Sequence, residues 1–195
     1  MQYKLNRAWA EINLDNLAHN VGEIRRITDK RAEIMGVVKA DAYGHGVWGV
    51  TKTLLDNGVD RLAVSMLDEA IQLRKSGVDV PILVLGYTDP ARACEVVDYD
   101  ITQTVFSHEL AEALSSAAAA CKKNIKIHIK IDTGMTRVGF MPGYSAVKDV
   151  IRISKLPGIV VEGIFTHFAS ADEKDSCYTY EQFEKFMSIC NELQR

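Results

Sequence analysis

Lys39 directly follows the apolar run Ile34–Val38, and Tyr43 stands four residues on. Burial disfavours an ammonium and frees a neutral amine, the nucleophile that Schiff-base chemistry requires. A phenol hydroxyl nearby can hold a phosphate. The plainer reading of Lys39 is a surface lysine snorkelling off a strand end. Arg137, in DTGMTRVGF, follows another apolar run. A guanidinium there can grip a carboxylate by paired hydrogen bonds, or simply be a solvated loop charge. His167, in FTHFASAD, can stack on a flat ring or sit at a rim. Between Ile125 and Asp132 the chain alternates strictly, with Lys126, His128, Lys130 and Asp132 opposite four isoleucines. A strand covered on both faces should be apolar throughout. This polar row therefore needs a ligand, internal pairing, or an edge position facing water. Gly44–Gly49 fits G-x-G-x-x-G, with Asp68 and Glu69 about 20 residues beyond, as in a dinucleotide fingerprint. In that fingerprint the glycines follow the strand directly, whereas here Lys39–Tyr43 intervene. His19, His45, His108 and His128 form no HxxH or HExxH pattern, so no metal site is expected.

The elements that must carry these residues alternate. Apolar runs fall at Ile34–Val38, Leu62–Ser65, Ile82–Leu85, Thr102–Phe106, Ile125–Ile131 and Ile159–Phe165. Helical patterns occupy Asp68–Ser76, Pro90–Val97, His108–Cys121, Tyr144–Lys155 and Thr179–Leu193. This alternation predicts βα units and a parallel sheet. The spacing suits a TIM-type (β/α)8 barrel, which needs about eight units in about 250 residues. A chain of 195 residues stops about two units short, and an open doubly wound sheet is the alternative. Ala8–Leu14 alternates in polarity and reads as an extra strand with no partner among the six runs. Arg25, Arg26, Lys30 and Arg31 read as a solvated basic face.

A net charge of −3 excludes a strongly basic nucleic-acid binder. No apolar run approaches the roughly 18 residues of a membrane span, and the N-terminal stretch lacks the apolar region of a signal peptide. Four cysteines without ligand spacing suit a reducing compartment, so a cytoplasmic location is expected.

AWAEINLDNLAHNV, VVKADAYGHG, KIDTGMTRVGF and GIFTHFASAD occur in this order and at these spacings, and together they resemble the alanine racemases. The resemblance covers essentially the whole chain, and VKADAYGHG is its most specific segment. It implies an isomerase that interconverts L- and D-alanine, supplying D-alanine for peptidoglycan, with pyridoxal 5'-phosphate as cofactor. Lys39 matches the lysine that carries the cofactor and acts as catalytic base on the D-alanine face. Tyr43 matches the tyrosine at the cofactor phosphate. Arg137 matches the arginine near the cofactor phenolic oxygen and the substrate carboxylate, and His167 the histidine packed on the pyridine ring. Lys130 matches a lysine carbamylated in some members, where it braces that arginine.

Family members are about twice as long, with a complete barrel, a β-rich C-terminal domain and a homodimeric assembly in which the second base, a tyrosine, reaches the partner's site. The resemblance thus implies that residues 1–14 hold a strand of that β-domain and 15–195 an incomplete cofactor-binding barrel. A related serine or broad-specificity racemase, a non-catalytic pyridoxal-phosphate barrel and the dinucleotide reading are the rivals.

Overall fold

Short β-branched runs flanked by amphipathic helices cannot bury both faces alone, and here they assemble into one parallel sheet. The computed structural model describes residues 8–194. Six strands, β1 (Met35–Val37), β2 (Arg61–Val64), β3 (Ile82–Val84), β4 (Thr102–Val105), β5 (Ile125–Lys130) and β6 (Ile159–Phe165), lie in sequence order. Every neighbouring pair is parallel. This is the strand order of a barrel wall, not of a doubly wound sheet, whose order reverses at a switch point. β1 and β6 form its two edges.

Helix α1 (Leu14–Ile27) precedes β1 and is capped by Asn13, whose side chain accepts from the Asn16 N–H at 2.9 Å. The β1–β2 connection holds a single turn, α2 (Lys39–Tyr43), and helix α3 (Val47–Asp56). Helices α4 (Leu67–Lys75), α5 (Ala93–Asp98), α6 (His108–Cys121) and α7 (Tyr144–Ser154) then separate the remaining strands, and α8 (Cys177–Leu193) follows β6. Leu62, Ile82, Val84, Val105, Ile127 and Ile129 pack beneath Leu73, Leu110, Leu114, Val150 and Ile153 of the helices, all buried. The isoleucine face of β5 is part of this core.

The opposite face of β5 is polar, and two of its side chains, Lys126 and His128, pair with Glu162 of β6. Glu162 accepts from Arg61 at 2.6 Å, Lys126 at 2.9 Å and His128 at 3.2 Å, and Arg61 also donates to Glu33 at 2.5 Å. A bulge between Ile127 and His128 makes room for the imidazole. Gly163 is required opposite it, since a Cβ there would meet the ring at 2.8 Å. β5 lies between β4 and β6 and is not an edge strand, although Lys126 at its start is exposed.

Burial pushes the Glu162 carboxyl up, but hydrogen bonds from Arg61, Lys126 and His128 outweigh it and hold the pKa at about 2. A fall from the ordinary 4.5 corresponds to about 3 kcal/mol of stability. Because the folded value is depressed, that stabilisation is present above pH 4.5 and is lost as pH falls toward 2. Glu162→Gln is therefore expected to lower the urea midpoint at neutral pH and to flatten its acid dependence in that window. A variant with the wild-type midpoint and acid slope would show the cluster to be inert.

Residues 8–13 pair with none of the six strands, Leu14 already belongs to α1, and residues 1–7 of the expected N-terminal strand segment lie outside the described residues. One local expectation is corrected. Arg25 is only partly solvated: its guanidinium donates to the carbonyls of Gly58 at 2.6 Å and Ala32 at 3.0 Å, and pairs with Asp60.

Candidate active site at the strand ends

The carboxyl ends of parallel strands point their last side chains toward one mouth, where such folds bind ligands. Val37 at the end of β1 and Lys39 just past it, Ser65 after β2, Leu85 and Gly86 after β3, Lys130 at the end of β5, and Phe165 at the end of β6 with His167 just past it line one cavity of about 420 Å³. Tyr43, Arg137 and Val138 complete it. Lys39, Tyr43, Lys130, Arg137 and His167, singled out from sequence, thus share one space. Ser65, Leu85, Gly86 and Phe165 were not singled out, although each ends or follows an apolar run, which was the available signal.

Lys39 begins α2, an unusual turn. Ala40, Asp41, Ala42 and Tyr43 have φ of 51°, 55°, 52° and 58°, so the turn winds left-handed without a glycine. Left-handed L-residues cost about 1–2 kcal/mol each. Side chains outside the turn hold it. Glu69 accepts from the Ala40 N–H at 2.5 Å, and also from Ser65 and Met66. The Asp41 carboxylate accepts from the Val47 N–H at 2.7 Å, and Gly44 closes the turn onto the Ala40 carbonyl at 3.0 Å. The turn leaves the Lys39 ammonium 5.7 Å from the Tyr43 ring centre. These bonds also dispose of the dinucleotide reading. Asp41 occupies the N-terminus of α3 where a pyrophosphate would bind, and Glu69 is committed to backbone N–H groups.

Arg137 is placed by Asp132. That carboxylate accepts from the N–H groups of Arg137 at 2.7 Å, Thr136 at 2.8 Å and Gly134 at 3.0 Å. Burial pushes Asp132 up, and these bonds more than offset it, so its pKa lies below the usual range. Asp132 is thereby absorbed by backbone, and no carboxylate lines the cavity.

Lys130 is 3% exposed, and its Nζ has no hydrogen-bond partner among the described residues. It lies 5.2 Å from the Phe165 ring centre. Burial, and secondarily Arg137, push its pKa down against the pull of Asp132. Burial also pushes His167 down, helped by Arg137, Lys130 and Lys39. The cavity therefore gathers two amines and a guanidinium beside a histidine that favours its neutral form. Such a site suits an anionic ligand with a flat ring. Among the described residues no cluster of His, Cys, Asp and Glu could hold a metal ion.

The alanine racemase N-terminal domain family matches residues 12–195. The chain belongs to that family. Alanine racemase 1 of Clostridium acetobutylicum is 51% identical over 187 residues, covering 96% of this chain and 48% of that protein. The solved structure of Clostridium difficile 630 alanine racemase in complex with cycloserine superposes with a TM-score of 0.94 at 43% identity, covering 97% of this chain and 52% of that one. A histidine racemase from Leuconostoc mesenteroides superposes with a TM-score of 0.83 at 31% identity, covering 89% of this chain and 46% of that one. The chain spans about half the length of the curated relatives it matches. The six-strand parallel wall is the barrel-type N-terminal domain of this family.

Proposed function

We propose that this chain is the cofactor-bearing half of a pyridoxal-phosphate-dependent isomerase that interconverts L- and D-alanine. The observation that carries the reading is the convergence of Lys39, Tyr43, Lys130, Arg137 and His167 on one cationic cavity. The site fits the cofactor: it offers an amine at a strand end, a phenol, a neutral-leaning imidazole, and an unpartnered buried Nζ. Lys39 would hold the cofactor through its amine, Tyr43 would bond its phosphate, and His167 would pack against its ring. When bound, the cofactor supplies an electron sink that makes the Cα proton of an amino acid removable.

Arg137 orients the substrate carboxylate by paired hydrogen bonds. Lys39 Nζ then takes or returns the Cα proton on the D-alanine face. The opposite face needs a second base, which the resemblance assigns to a tyrosine outside this chain. We place the intact protein in the cytoplasm as a homodimer supplying D-alanine for peptidoglycan. Its four free cysteines suit that compartment. The likeness to a histidine racemase favours a second reading, in which this half serves several substrates and others select among them. The test adds pyridoxal phosphate to the intact protein, follows visible absorption, and assays racemisation of alanine, serine and histidine. Absent colour would defeat the cofactor assignment, and faster turnover of serine or histidine would move the substrate.

Lys130 is expected to be carbamylated in the intact protein. Its neutral amine adds carbon dioxide and releases a proton, turning a cation beside Arg137 into an anion that accepts from the guanidinium. Carbon-13 bicarbonate should give a carbamate NMR signal that Lys130→Ala removes, with activity falling about tenfold. Density for a bare ammonium, with chloride beside Arg137, would overturn this.

A further inference from the structure

Gln182 lies on α8, outside the cavity wall, and is fully buried. Its amide bonds both loops that carry the candidate site. Nε2 donates to Thr133 Oγ1 at 3.2 Å and to the His167 carbonyl at 3.2 Å. Oε1 accepts from the Ala169 N–H at 2.9 Å. Thr133 belongs to the turn that leads from β5 to Arg137, whereas His167 and Ala169 follow β6.

Two neighbouring contacts tighten the same junction. The Thr133 and Thr166 hydroxyls share a hydrogen bond of 2.8 Å. Tyr178, one turn before Gln182, donates its hydroxyl to the Gly134 carbonyl at 2.9 Å. The fit there is close: a Cβ on Gly134 (φ 145°) would lie 2.2 Å from that hydroxyl. A buried amide is costly unless its donors and acceptor are used, and here both donors and the acceptor are. If the position only filled space, leucine or methionine would serve it without that cost.

We propose that Gln182 is a positioning residue that sets His167 relative to Arg137 by joining the loop after β6 to the turn after β5. It holds the His167 backbone by the carbonyl, and the Arg137 turn through Thr133. Reacting groups misplaced by about 1 Å can cost about 100-fold in rate, so a slack junction lowers turnover without removing any group from the cavity. The effect on turnover rests on the racemase reading; the effect on the loops does not.

The test compares wild type with Gln182→Met in the intact protein, by amide hydrogen exchange without cofactor and by steady-state kinetics with it. Gln182→Met is expected to speed exchange in peptides spanning 133–137 and 166–170 while β1–β4 peptides keep wild-type protection. With cofactor, kcat should fall about 10-fold to 100-fold with KM for alanine little changed. The visible circular dichroism of the bound cofactor should change as the ring beside it turns. If Gln182→Met does not fold, Gln182→Glu replaces it. That variant retains the acceptor for Ala169 but sets a carboxylate oxygen against the His167 carbonyl, so the same loop signature is expected. Unchanged exchange and kcat, or loosening that extends through every strand, would overturn the proposal. Wild type that shows no racemisation while the exchange signature persists would reject the racemase reading and leave the junction standing.

Discussion

Lys39→Ala in the intact protein is expected to abolish racemisation in both directions. One substitution removes the amine proposed to hold the cofactor and to act as base on the D-alanine face. A positioned general base alone is worth about 100-fold to 10,000-fold, and loss of the anchoring amine adds to that. The geometry singles out this lysine. It follows β1 at the mouth and stands at the entry of a turn fastened by Glu69 and Asp41. Lys130 is the competing amine, but it is buried, with its Nζ over the Phe165 ring. Borohydride reduction of the holoprotein followed by peptide mapping should therefore find the pyridoxyl group on Lys39. A label on Lys130, or near-normal turnover by Lys39→Ala, would sink the assignment.

Expressed alone, the 195-residue chain is expected not to racemise alanine at a useful rate. Lys39 is its proposed base for one face, and the proposed partner base lies elsewhere. The described sheet also ends in two open strands, β1 and β6. Unpaired edges invite association with other chains, which competes with a well-formed mouth. Exchange at Cα of D-alanine is the activity that can survive, because Lys39 is the proposed base for that face. The purified chain, cofactor and each enantiomer are incubated in deuterated water, and stereochemistry and Cα deuterium are read together. Rapid conversion of L- to D-alanine would show that the second base lies within these residues.

Most of the wall was legible in the sequence because its signals are local. The strict alternation of Ile125–Asp132 announced a strand with one apolar and one polar face, and β5 has both. The candidate site residues could be grouped because strand ends converge on one mouth, so Lys39, Lys130 and His167 line one cavity without any contact being known. What escaped depends on distant partners. Glu69 looked like a ribose acid and instead secures backbone N–H groups of α2 and the β2 end. Arg25 looked like one of a solvated cluster until Asp60 and two carbonyls met it. Helix α3 went unread because its start lies inside the glycine pattern that suggested a nucleotide loop. Gln182 is a lone amide in an amphipathic helix, and only the tertiary fold reveals what it joins.

The left-handed winding of α2 inverts the ordinary rules of substitution tolerance just after the lysine. Ala40 is exposed and has φ of 51°, so crowding at the site does not restrict its side chain; backbone handedness does. Valine, isoleucine and threonine, harmless at most exposed positions, suit this conformation worst, whereas glycine and asparagine enter it readily. A saturation library at this position would thus rank residues by mirror-image preference, not by size or polarity. A D-residue placed there by semisynthesis would find its own favoured region. The strand end would then carry its lysine on a turn in which three L-residues, not four, oppose their own chirality.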